Sequence, residues 1–118
     1  MGLKLPGIVV IGAALAAPIA FVQGAAQAAD AFATAERIIK QHRLLTPQQQ
    51  KCSKLVLRED SNKRIAKVGI YERHDATCGG DPDAEHRLFD MEINMRSGAA
   101  TWDNNVDMEM RPVPARRR

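Results

Sequence analysis

RLFDMEINM, residues 87–95, alternates strictly between apolar and polar side chains. Phe89, Met91, Ile93 and Met95 fall on one face of an extended chain, and Leu88, Asp90, Glu92 and Asn94 on the other. A period of two over this length predicts a half-buried strand with one wet face. Arg96-Ser97-Gly98 follows as a turn, with Gly98 suited to a left-handed backbone. AATWD then returns and sets Trp102 beside the apolar row. Upstream, RIAKVGIYERH alternates too: Ala66, Val68 and Ile70 share one face, Ile65, Lys67, Gly69 and Tyr71 the other. CSKLVLRED, around Leu55, Val56 and Leu57, reads as another strand, joined to it through the polar cluster Glu59 to Lys63.

Before the strands the period changes to that of a helix. In DAFATAERIIKQHRLL, residues 30–45, Phe32, Ala35, Ile38, Ile39, His42 and Leu45 recur at steps of three and four. Asp30 is the expected N-cap. His42 lies beside the stripe and reads as a boundary residue rather than a ligand. Thr46-Pro47-Gln48-Gln49 carries a second start signal, Thr as cap, Pro first, Gln three on, so a break falls at Leu45–Thr46. The sum predicts an α+β domain: an N-terminal amphipathic helix packed on a four-stranded antiparallel meander sheet. Met91, Met95 and Trp102 on an inner face read as core filler rather than a cofactor pocket, and no cofactor is expected.

The N-terminus sets the address. One lysine, Lys4, precedes LPGIVVIGAALAAPIAFV, residues 5–22, which has no charged side chain. Ala26-Gln27-Ala28 then forms an A-x-A pattern, so residues 1–28 read as a secretory signal peptide. The rival reading, a membrane anchor, is opposed by the run's Ala and Gly content and by Pro6 and Pro18, since a spanning helix needs about 20 strongly apolar residues. Cleavage leaves one domain, residues 29–106, and a flexible basic tail, 107–118, with no integral membrane segment. A location outside the cytoplasm, periplasmic or secreted, is expected. In such a place the two cysteines, Cys52 and Cys78, read as one disulfide. In the chain-entropy account a loop of this size is worth about 3–4 kcal/mol, a large part of the stability of so small a domain.

The formal net charge of +3 hides a division along the chain. Residues 37–73 hold ten basic residues against three acids, and residues 74–92 six acids against one arginine. RPVPARRR closes the chain with four arginines. Few aromatics, no nucleic-acid motif and an exported address argue against nucleic acid as a partner. A dipolar, hydrated surface accounts for the division, and an acidic partner or a membrane surface is its functional version.

HDATCGGDPDAEH, residues 74–86, concentrates the residue types that carry chemistry. A zinc site would draw on His74, Cys78 and His86 with a carboxylate, but the spacing matches no zinc pattern and a disulfide removes Cys78. A calcium site would use Asp81, Asp83 and Glu85, yet the sixth position of an EF-hand, which wants glycine, is His86, and the twelfth, Glu92, falls in a predicted strand. A Cys78 nucleophile would need a free thiolate with His74 or His86 as base. The chain has no G-x-S-x-G elbow and no phosphate-binding glycine loop. Cys78-Gly79-Gly80-Asp81-Pro82 reads more simply as a cross-linked connection whose acids stay hydrated.

Glu72-Arg73-His74 through Cys78-Gly79-Gly80-Asp81-Pro82, with Arg87-Leu88-Phe89 and the turn glycine Gly98, resembles a group of small exported proteins of Gram-negative bacteria with no assigned activity. The match covers about residues 52–105. The layout of helix and strands, closing in the hairpin from Asn94 to Gly98, is also similar to the PepSY-type domain, an exported module linked to restraining or modulating peptidases. The CGGDP loop has no counterpart in that pattern, and no functional residue is carried over.

The expectation is therefore a monomeric, non-enzymatic binding or modulator protein acting on a protein partner. Its candidate binding residues are His74, Asp75, Asp81, Asp83, Glu85, His86 and Trp102. The acidic loop, an edge strand near Trp102 and the basic tail are its candidate surfaces. A calcium- or zinc-binding protein and a small hydrolase are the alternatives.

Overall fold

The computed structural model of the chain describes residues 16–116, and side chains from residue 24 onward. Most of the expected signal peptide, residues 1–15, and the last two arginines lie outside the described residues. The order is α1 (Ala16–His42), α2 (Pro47–Lys51), β1 (Ser53–Leu57), β2 (Ile65–Glu72), β3 (Arg87–Asn94), β4 (Ala100–Trp102) and β5 (Arg111–Pro112). The strands form one antiparallel sheet in sequence order, β1-β2-β3-β4-β5.

The alternation reads correctly onto the sheet. Ala66, Val68 and Ile70 from β2, with Phe89, Met91 and Ile93 from β3, are buried against Ala31, Ala35, Ile38 and Ile39 of α1. Burying a large apolar side chain contributes about 1.5–3 kcal/mol, so the β2–β3 pair and the helix stripe form the energetic centre. Trp102 is half-buried and meets Phe89 edge to face, ring centroids 5.0 Å apart. Gly98 takes a φ of +80° in the β3–β4 turn, as expected. Cys52 and Cys78 are joined, their Cα atoms 5.7 Å apart.

Three expectations need correction. The helix does not start at Asp30, which lies inside α1 rather than at its cap. The sheet has five strands, not four. The fifth lies within the stretch read as a tail, because the chain turns at Met108, φ +57°, and brings Arg111 opposite Trp102. Val113 N–H then bonds the Ala100 carbonyl at 3.2 Å, and His42 Nδ1 donates to the Pro114 carbonyl at 2.6 Å. Consequently β4, near Trp102, is not the open edge of the sheet.

The break after α1 has a clear cause. Arg43 N–H bonds Lys40 O and Leu44 N–H bonds Ile39 O at 3.0 Å, with Arg43 at φ +53°. This is a Schellman ending, built on a residue other than glycine. Thr46 then caps α2: its hydroxyl accepts from Gln49 N–H at 3.1 Å while the Gln49 side chain accepts from Thr46 N–H at 2.9 Å.

Candidate functional site

The loop between β2 and β3 is organised by His74. Its Nδ1 faces two carbonyl oxygens, Asp81 at 3.1 Å and Ala84 at 3.0 Å. Carbonyls only accept, so this nitrogen carries a proton. Nε2 faces Glu72 Oε2 at 2.9 Å. An ionised carboxylate also only accepts, so the doubly protonated ring satisfies every contact. The side chain is 15% exposed. The Glu72 bond, chiefly, and the Ala84 carbonyl raise the His74 pKa above its ordinary value. Glu72 is lowered in turn, first by His74 and then by His86, whose Nδ1 lies 3.1 Å from the same oxygen.

A register slip brings these groups together. Ile70 pairs with Phe89, but Tyr71 pairs with Arg87, so Leu88 is an extra residue on β3. The slip sets Glu72 opposite His86, and Glu72 N–H donates to the His86 carbonyl at 2.9 Å. Without the bulge, Glu72 would face Arg87.

Gly80 completes the frame. Its φ is +83°, and a β-carbon there would come within 2.8 Å of His74 Cδ2. The imidazole lies against bare backbone, and any side chain would displace it.

The acids are largely engaged within the loop. Asp75 Oδ1 accepts from Thr77 N–H at 3.0 Å and Cys78 N–H at 2.8 Å, and these bonds, Cys78's the stronger influence, lower its pKa. Asp75 also pairs with Arg73 at 3.0 Å. Asp81 Oδ1 accepts from Asp83 N–H at 2.9 Å. Glu85 reaches Lys54 of β1 at 3.6 Å. Asp83, Glu85 and His86 are exposed. Arg73 places a guanidinium nitrogen 3.4 Å from the Cys78 sulfur.

His74, His86 and the loop acids thus share one surface, whereas Trp102 sits apart in the hydrophobic cluster around Phe89. The zinc arrangement fails at Cys78, whose sulfur is bonded to Cys52, and at His74, whose nitrogens are both taken. Among the described residues no three His, Cys, Asp or Glu side chains are disposed to hold a metal ion. Nor, among them, is any helix long and apolar enough to cross a membrane.

The sequence reading missed two features. Glu72 was seen only as part of a motif, although it is the anion that both histidines meet. On the sheet face away from α1, Asp103 accepts from Arg87 at 3.0 Å and from Asp90 N–H at 2.8 Å, while Arg58 donates to Asp90 at 2.8 Å. Asp103, 10% exposed, ties β4 to β3 through this chain of charges. The polar face of RLFDMEINM was the available signal, but the partners come from separate strands.

No family model, curated protein or solved structure matches the chain.

Proposed function

We propose that this is an exported, non-enzymatic binding protein that modulates a protein partner, with the loop of residues 73–86 as its contact surface. One observation carries the reading: the His74 ring, held by Glu72, Asp81, Ala84 and the Gly80 backbone, fixes the loop from within, and the disulfide fixes it from outside. A loop already ordered loses little entropy on binding, so its exposed groups Asp83, Glu85 and His86 present a preorganised surface. The residues that a reaction would need are committed to structure. Both cysteines are cross-linked, Asp75 and Asp81 cap backbone amides, and both histidines meet Glu72. The disulfide and the resemblance to exported proteins support an address outside the cytoplasm.

The test places a photo-crosslinking residue at Asp83, and separately at Arg37 on the helix's wet side, and irradiates the protein in a periplasmic extract. A discrete adduct from the loop position alone is expected. Identical adducts from both positions, or none from either, overturn the reading. Calorimetric titration with calcium and with zinc separates the metal-binding alternative, which requires saturable heat at one ion per chain.

A further inference from the structure

Apart from the loop, the β1 edge of the sheet has unspent backbone bonding capacity. The bonds Arg73 N–H to Cys52 O and Arg58 N–H to Lys67 O, both 2.8 Å, bracket the β1–β2 ladder. In an antiparallel pair the bonded residues alternate, so Cys52, Lys54, Val56 and Arg58 turn their backbone groups toward β2. Ser53, Leu55 and Leu57 turn theirs outward. Among the described residues no strand pairs with that side of β1. Natural edges are guarded by prolines, bulges or several charges, and β1 carries a single lysine, Lys54.

Beside this edge, between α1 and β1, runs a groove of about 450 Å³. Phe32, Ile39, Leu45 and Leu55 supply its apolar surface. Its charged lining is Lys40 and Lys54 against Glu36, and Lys51 closes α2 two residues before the strand. The strand lies in a net-basic stretch of the chain, residues 37–73. Lys54 meets Glu85 only at 3.6 Å, with both side chains largely exposed, so it remains accessible to another anion.

We propose that the open edge of β1 takes up an extended, acid-flanked segment of a partner protein, which adds a sixth strand and lays alternate apolar side chains into the α1–β1 groove. Backbone bonds to Ser53, Leu55 and Leu57 supply affinity, and the groove and its lysines supply selectivity. A second copy of this chain is disfavoured, because two net-positive edges would meet. The proposal rests on the protein-binding reading but names a different surface from the loop.

The test uses the full chain and a synthetic peptide with a Val-Thr-Val-Thr-Val centre and two aspartates at each end. Slowed hydrogen exchange at the amides of Ser53, Leu55 and Leu57, but not at those of Val106 and Met108, is expected on binding. Replacing the terminal aspartates by lysines weakens binding by about three- to tenfold, and the double variant K40E/K54E reverses the preference. Methylating alternate peptide nitrogens abolishes binding. Because the lysines are exposed, the double variant folds, which an unchanged melting temperature confirms. Three results overturn the proposal: no protection at the three amides, equal affinity for both peptides, or protection that grows with protein concentration in the absence of peptide, which assigns the edge to a second copy. Where one of these three overturns the edge proposal, a loop-specific crosslink that persists in K40E/K54E shows that the loop reading still stands.

Discussion

The charge state of the His74 imidazole bears directly on the structure of the loop between β2 and β3. Its fully bonded form is the cation, and the anion it meets is Glu72, shared with His86. Of the nearby charges, Arg73 pairs with Asp75 at 3.0 Å, and Lys54 and Glu85, both well exposed, are 3.6 Å apart. A raised histidine pKa stabilises the fold below the ordinary value of 6.5, and that contribution is lost as pH rises through the folded value. A lowered glutamate pKa stabilises above the ordinary 4.5 and is lost as pH falls through the folded value. Both contributions are complete only between these two ordinary values. Hydrogen exchange at Gly79 and Ala84, whose amides bond Asp75 O and Asp81 O, reports the loop directly. Their protection, corrected for intrinsic rates, holds across that window and declines toward pH 8; a flat profile rejects the imidazolium frame. Gly80→Ala attacks the same frame by contact, since the new methyl would sit against the ring and the backbone favours glycine. Strain of this kind costs about 1–3 kcal/mol, read as a lowered denaturation midpoint, and the His74 ring resonances shift with it. Two permissive glycines are legible in CGGDP, but what they accommodate is not, because the ring that fills the space comes from six residues earlier in the chain.

Helix α1 shows how far one element can be read alone. Its apolar stripe follows from spacing, and Ala35, Ile38 and Ile39 are buried as the stripe requires, whereas Leu45, also buried, lies beyond the helix end at His42. Its start was misplaced, because a favourable capping residue marks a possible beginning and an alanine-rich stretch upstream removes the need for one. Its end is set by Arg43, which holds a left-handed conformation that costs a residue with a β-carbon about 1 kcal/mol or more. Arg43→Gly relieves that cost without disturbing a buried contact, since the arginine is exposed. The variant gains about 1 kcal/mol in chemical denaturation, and a loss would show that the Arg43 side chain itself supports the fold. Strand β5 escaped sequence reading for the opposite reason. Two residues, one of them proline, carry no period, and the strand exists because Asp107 pairs with Arg111, Asn105 accepts from Glu109 N–H, and His42 on α1 bonds the chain beyond it. The bulge at Leu88 was equally hidden: alternation marks which residues face the core, whereas a slip at a strand's end depends on how the following loop is tied.

At the scale of the whole molecule, the described core stands apart from the stretch read as a leader. Every buried side chain among the described residues lies at Ala31 or beyond. The predicted cut after Ala28 falls inside α1, so cleavage there would shorten the helix without removing any residue of the described core. It also changes the role of one residue. Asp30, internal to the long helix, becomes available near the new end, where a carboxylate is favourable to exposed amides and to the helix dipole. Losing turns that contribute nothing to the described core and gaining a cap are both small changes, so residues 29–118 are expected to unfold within about 1 kcal/mol of the full chain. Reduction of the disulfide is the contrasting case. It releases the loop and the start of β1 together, lengthening the constraint-free chain between two strands that must pair, and costs about 3–4 kcal/mol. Denaturant unfolding of four samples, full and shortened, oxidised and reduced, distinguishes the two effects, because the reduction cost is the same in both lengths if the leader lies outside the cooperative core. A shortened chain that loses several kcal/mol even when oxidised shows instead that the first 28 residues fold as part of the domain, and that the helix is long because the domain needs its full length.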